Sequence, residues 1–189
     1  MPASIGEMMS LQVIDLTMNN LTGRIPSSIG NCSYLKALDL GNNNFSGEIP
    51  SSLGQLKHLQ SLHLNDNMFS GEFPTSFMNL SSLEILDLGN NRLSGNIPTW
   101  IRNGLANLRI LKLRSNAFSG GVPSNLSNLT SLQVLDLTEN NLTGSIPMEP
   151  FVESAFAGTQ GLCGSPLVFK CKGGENSDKG KSVENEDND

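Results

Sequence analysis

The stretch Leu83-Glu84-Ile85-Leu86-Asp87-Leu88-Gly89-Asn90-Asn91-Arg92-Leu93-Ser94-Gly95-Asn96-Ile97-Pro98 decides the fold, because it recurs. Leucines at 11, 35, 59, 83, 108 and 132 open six segments whose spacings are 24, 24, 24, 25 and 24 by subtraction. Each fits L-x-x-L-x-L-x-x-N-x-[LF]-x-G-x-[IVF]-P, with Ile14 in place of one Leu. A unit of this length repeated at a fixed period cannot bury its apolar face alone, so the units stack into a solenoid. The one longer spacing is read as a loop at Ile101-Arg102-Asn103-Gly104-Leu105 that absorbs the extra residue.

Each position in the unit has a physical role. The alternation in L-x-x-L-x-L puts pairs such as Leu38 and Leu40, or Leu86 and Leu88, on one face of a short strand, and stacked strands make a parallel sheet with its leucines inside. Asn19, Asn43, Asn67, Asn91, Asn116 and Asn140 recur where the chain leaves the strand; an amide there is expected to bond backbone groups of its own turn and of the neighbouring unit. Gly at 23, 47, 71, 95, 120 and 144 permits a tight backbone, and Pro at 26, 50, 74, 98, 123 and 147 favours extended backbone. Segments after Pro, such as Ser51-Ser52-Leu53-Gly54-Gln55-Leu56, are expected to form short helical turns on the opposite side.

Composition agrees with this architecture and excludes several functions. Of 189 residues, 37% are hydrophobic and only 5% aromatic, so a core built from aliphatic side chains is expected. Twelve Lys and Arg against 18 Asp and Glu leave a net charge of −6, the wrong sign for a nucleic-acid groove. The opening Met1-Pro2-Ala3-Ser4-Ile5-Gly6-Glu7 has neither the basic start nor the apolar run of a signal peptide, and no run approaches the roughly 18 apolar residues of a membrane span.

The repeat, with L-x-G-x-I-P as its second half, closely resembles the plant-specific class of extracellular leucine-rich repeats over residues 2 to about 147. The resemblance implies an α/β fold, a right-handed leucine-rich-repeat solenoid with a concave parallel β-sheet, short helical turns on the convex side and an extra short strand at the G-x-I-P step. It points to the ectodomains of receptor-like kinases, receptor-like proteins and polygalacturonase-inhibiting proteins. Four regions follow: a partial repeat over 1–10, six repeats over 11–147, a C-terminal cap over 148–171, and a disordered acidic tail over 172–189. The run from Ser154 through Gly161-Leu162-Cys163-Gly164 to Cys171 is similar to the cap of plant receptor-like proteins. Within that cap Cys163 and Cys171 flank a short apolar loop and are expected to form a disulfide in an oxidising compartment, a metal site being the alternative reading. Cys32 stands where other repeats place Leu56, Leu80 and Leu129, and is expected to be a buried small hydrophobe. No N-terminal cap precedes the first repeat, so a truncated or partial chain is the expectation.

N-x-[ST] occurs at Asn20, Asn31, Asn44, Asn79, Asn125, Asn128 and Asn141, candidate glycosylation sites. The repeat consensus itself generates some of them, and Asn31, Asn79, Asn125 and Asn128 fall on the convex half. His58 and His63 sit beside no Ser or Cys motif, and Asp15, Asp39, Asp87 and Asp136 share one slot and are expected to stand in a solvated column, so neither set reads as catalytic. No metal or cofactor motif is present, and no enzyme activity is expected.

Function is therefore sought on the concave face. Repeat five concentrates Arg109, Lys112 and Arg114 between Glu84, Asp87 and Asp136, Glu139, while repeat three contributes His63 and Asp66. One reading is a locally balanced ion-pair surface; the other is an anchor for a carboxylate, such as a peptide C-terminus or an acidic glycan. The resemblance implies a non-catalytic module of a plant receptor-like protein, in perception of an extracellular peptide or microbial pattern. Its partners would be a peptide, glycan or protein ligand and a kinase-bearing co-receptor, at the outer face of the plasma membrane. An inhibitor of a secreted hydrolase and a fragment without independent function are the alternatives.

Overall fold

Every repeat contributes one short strand to each of two parallel sheets, as the computed structural model shows for residues 1–147, 153–159 and 161–164. The first sheet takes β1 (Val13–Asp15), β3 (Ala37–Asp39), β5 (Ser61–His63), β7 (Ile85–Asp87), β9 (Ile110–Lys112) and β11 (Val134–Asp136) in that order. The second takes β2 (Thr22–Gly23), β4 (Asn44–Glu48), β6 (Met68–Glu72), β8 (Arg92–Asn96), β10 (Ala117–Gly120), β12 (Asn141–Ser145) and β13 (Gly161–Cys163). The result is a leucine-rich-repeat solenoid whose first sheet is the concave face.

The core lies between the sheets and the turns. Leu38, Leu62, Leu86 and Leu111 from the concave strands are fully buried, as are Leu40, Leu64, Leu88 and Leu113 two residues on. Phe45, Phe69 and Phe118 fill the slot that the pattern gives to Leu or Phe, and Phe45 and Phe69 stack at 6.2 Å between centroids. Cys32 is buried and free, its thiol donating to Ile5 O at 3.4 Å; burial pushes that thiol's pKa up and keeps it unreactive.

Short 3-10 turns follow the prolines at Ala3–Glu7, Ser27–Asn31, Ser51–Gln55, Thr75–Asn79 and Ser124–Asn128. They stack so closely that a Cβ on Gly54 would lie 2.3 Å from Ser76 O. Where a glycine would next be expected stands Met78, 49% exposed. The following unit departs from the expected loop: it forms a single α-turn, α1 (Ile101–Gly104), closed by Gly104 N–H donating to Trp100 O at 2.9 Å. The extra residue brings Gly104 against the Met78 backbone, where only a glycine fits.

The asparagine ladder ties the units together. Asn91 Nδ2 donates to Leu88 O and Gly89 O in its own turn, both at 3.1 Å, and to Leu64 O of the preceding unit at 3.0 Å, while its Oδ1 accepts from Phe69 N–H at 2.9 Å. Asn43, Asn67, Asn116 and Asn140 repeat this arrangement. At the far end a 3-10 turn (Glu153–Phe156) supplies Ala155 O to Leu137 N–H and β13 pairs with β12, burying Ala155, Phe156 and Leu162. Cys163 is disulfide-bonded. Cys171, the acidic tail from residue 172, and cap residues 148–152, 160 and 165–170 lie outside the described residues.

Candidate ligand-binding surface

Parallel register aligns the outward side chains of the concave sheet into columns that cross all six strands. One column runs Val13, Ala37, Ser61, Ile85, Ile110, Val134. The next, two residues on along each strand, runs Asp15, Asp39, His63, Asp87, Lys112, Asp136. An almost wholly apolar track therefore lies beside a charged one. Ala37, Ser61, Ile85 and Ile110 are half-buried, and Val13 and Val134 are exposed, with nothing packed over them. Reading charges repeat by repeat misses this track; it is found by reading the third residue of L-x-x-L down the repeats.

The cations of repeat five are each matched by a carboxylate on an adjacent strand or turn. Arg109 Nη1 lies 3.7 Å from Glu84 Oε2, Lys112 Nζ 3.3 Å from Asp87 Oδ2, and Arg114 Nη2 2.8 Å from Glu139 Oε1. The Arg109–Glu84 and Arg114–Glu139 pairs are exposed on both sides, so they set local charge more than stability. Ser115 Oγ also donates to Glu139 Oε2, and these two partners, the serine first, hold the Glu139 carboxyl below its ordinary pKa. The same contact raises the Arg114 guanidinium, first through its hydrogen bond to Glu139.

The aspartate column is more engaged than a solvated one. Asp39, Asp87 and Asp136 each accept the N–H two residues on, from Gly41, Gly89 and Thr138, at 3.0–3.1 Å. Asp15 accepts both the N–H and the hydroxyl of Thr17, which lower its pKa in that order. Asp87 is itself buried, at 8% exposure, because Lys112 and its own turn close over it. His63 is half-buried and lies in register between Asp39 and Asp87.

Asp66 and Glu139 occupy a turn that sequence reasoning left undescribed. Met18, Asn42, Asp66, Asn90, Ser115 and Glu139 all adopt the left-handed region, with φ of 52–56°. Each turns its N–H onto the next coil, as Asp66 does to Gly89 O at 2.9 Å. Asp66 Oδ1 accepts from Asn90 Nδ2 and Oδ2 from Asn65 Nδ2, both at 2.7 Å. Asn and Asp at three of the six positions are the sequence signal for this conformation.

Of the sequon asparagines, Asn20, Asn31, Asn44, Asn79, Asn128 and Asn141 are exposed. Asn125 is half-buried and its Nδ2 donates to Thr99 O. Among the described residues, no cluster of His, Cys, Asp and Glu has metal-site geometry, and no helix is long and apolar enough to cross a membrane.

A leucine-rich-repeat family model matches residues 9–69 and 57–118, and a second leucine-rich-repeat model matches 131–151. No curated relative matches the chain. Among solved structures, the plant peptide hormone receptor RGFR1 in complex with RGF2 is 41% identical with a TM-score of 0.76, over 78% of this chain and 23% of that one. The ectodomain of the Arabidopsis receptor kinase HAESA, in complex with an N-terminally extended IDA peptide hormone, is 32% identical with a TM-score of 0.75, over 91% and 33%. The ectodomain of the Arabidopsis thaliana receptor kinase SOBIR1 is 34% identical with a TM-score of 0.63, over 79% and 70%. The chain thus spans a third or less of the RGFR1 and HAESA chains.

Proposed function

The chain belongs to the leucine-rich-repeat family, among the plant receptor ectodomains, and from that premise we propose that it is a non-catalytic ligand-binding module that holds an extended extracellular peptide across its concave sheet. The observation that carries this reading is the apolar track of Val13, Ala37, Ile85, Ile110 and Val134, interrupted only by Ser61. A stripe of aliphatic side chains beside fixed charges gives a linear peptide both a surface to bury and a register to read. His63, Asp66, Glu84, Asp87, Arg109, Lys112, Arg114, Asp136 and Glu139 supply the polar flank. Because the cations there are already paired, they select by geometry and exchange of partners rather than as a free anion site.

Peptide-bound relatives such as RGFR1 and HAESA support a peptide as the ligand class and an extracellular location. Signalling would then pass through a kinase-bearing co-receptor. The exposed sequons at Asn20, Asn31, Asn44, Asn79, Asn128 and Asn141 fit a secreted glycoprotein, and a Cys163–Cys171 disulfide fits the same compartment.

Panning a displayed library of linear peptides on the secreted chain tests the reading. Selected peptides should lose at least tenfold in affinity on Ile110→Glu and keep it on Met78→Glu, which lies on the turn side. Peptides indifferent to Ile110→Glu would overturn the concave site.

A further inference from the structure

At one rim of the concave sheet, where the fourth, fifth and sixth repeats meet, an open cleft of about 440 Å³ is lined by Glu84, Asn107, Arg109, Thr130, Ser131 and Gln133. We propose that this cleft is a binding site for a neutral oligosaccharide, separate from the apolar track at the centre of the sheet.

Charge sets the class of ligand. Arg109 and Glu84 are the charged residues of the lining and they face each other at 3.7 Å, so the cleft is neutral as a whole. An acidic ligand that paired with Arg109 would have to displace Glu84 and then lie against it, whereas an uncharged ligand meets no such penalty. Hydrogen-bonding capacity narrows the class further. Asn107 Nδ2 donates to Ser81 O at 2.8 Å, which orients the amide and leaves Oδ1 as an acceptor. Gln133 Oε1 accepts from Arg109 Nη2 at 3.3 Å, leaving Nε2 as a donor. The hydroxyls of Thr130 and Ser131 each donate and accept. Donors and acceptors interleaved over one small area match sugar hydroxyls, which do both at once. Leu132, half-buried in the same lining, offers a C–H surface to a ring face.

Size and position agree. The volume lies within the roughly 300–1,000 Å³ of small-molecule sites, room for about one or two pyranose rings. The cleft adjoins the longer α1 turn, which ends just before Asn107, and its Glu84, Arg109 and Gln133 precede the apolar track along their strands. A saccharide here leaves Ile85 and Ile110 uncovered and shares only Glu84 and Arg109 with the polar flank of the track, so its binding is measured with the centre empty.

The test uses the full chain, secreted, with Asn128→Gln so that no glycan attached beside Thr130 reaches the cleft. Saturation-transfer NMR and calorimetry are run with cellotetraose, xylotetraose, mannotetraose and chitotetraose, and with tetragalacturonic acid as the acidic counterpart. At least one neutral oligomer should bind saturably and more tightly than the acidic one. Its affinity should fall at least tenfold in both Gln133→Ala and Ser131→Phe, the latter filling the cleft, and stay within twofold in Ile110→Ala. Gln133→Ala removes only an exposed amide, so it reads the site even if Ser131→Phe perturbs folding. No saturable binding across the neutral panel, tighter binding of the acidic oligomer, or indifference to Gln133→Ala would each overturn the proposal.

Discussion

A single carboxylate illustrates how the concave face holds its charges. Glu139 stands in a left-handed turn that a glutamate does not favour, yet it is fixed there by Ser115 and by Arg114 on the preceding repeat. Both contacts favour the ionised form, and both lower its pKa. A depressed folded-state pKa means that the contact stabilises the fold above the ordinary value of 4.5 and is lost as pH falls through the lower, folded value. A carbon-detected titration of the Glu139 carboxyl should therefore give a midpoint below 4.5. Because both partners lower the pKa, Ser115→Ala and Arg114→Gln should each raise that midpoint. An identical midpoint in all three proteins would show that the contact is absent in solution.

At the scale of the element, the turns are set by how closely the coils stack. Gly30 and Gly54 sit where an added Cβ would fall 2.7 Å or less from the carbonyl oxygens of Ser52 and Ser76 in the next coil. Gly54→Ala should cost about 1–3 kcal/mol in chemical denaturation, since backbone rather than a flexible side chain would have to yield. The same change at Gly121, which has only a distant neighbour, should cost less. The strands, turns, asparagine ladder and buried Cys32 were legible in the sequence because each is a local rule repeated at fixed spacing. The longer spacing located the insertion at Ile101–Leu105 but not its α-turn, which packs against Met78 of another repeat. The apolar track was present in the letters and visible only down the columns. The rim cleft depends on where one inserted residue leaves Asn107 relative to Thr130 and Ser131, which no single repeat encodes.

Across the whole molecule, the binding surface exists only because the coils hold one another in register. Each coil buries its leucines against its neighbours, so stability is a sum over interfaces rather than over isolated units. The asparagine ladder makes this coupling measurable. Asn91 serves two coils at once through Leu64 O and Phe69 N–H on one side and Leu88 O and Gly89 O on the other. Asn91→Ala would leave several of these part-buried groups without a partner, a loss on the order of 3 kcal/mol. Asn19 is exposed and, among the described residues, its side-chain amide bonds only Leu16 O and Thr17 O of its own turn, so Asn19→Ala should cost less than about 1 kcal/mol. Urea unfolding followed by circular dichroism compares the two directly. If the coils unfold as one cooperative body, Asn91→Ala should lower the midpoint of the whole transition without splitting it. A split transition, with the coils before and after Asn91 melting apart, would mean that the concave columns are assembled from two halves and that a ligand crossing them supplies part of their alignment.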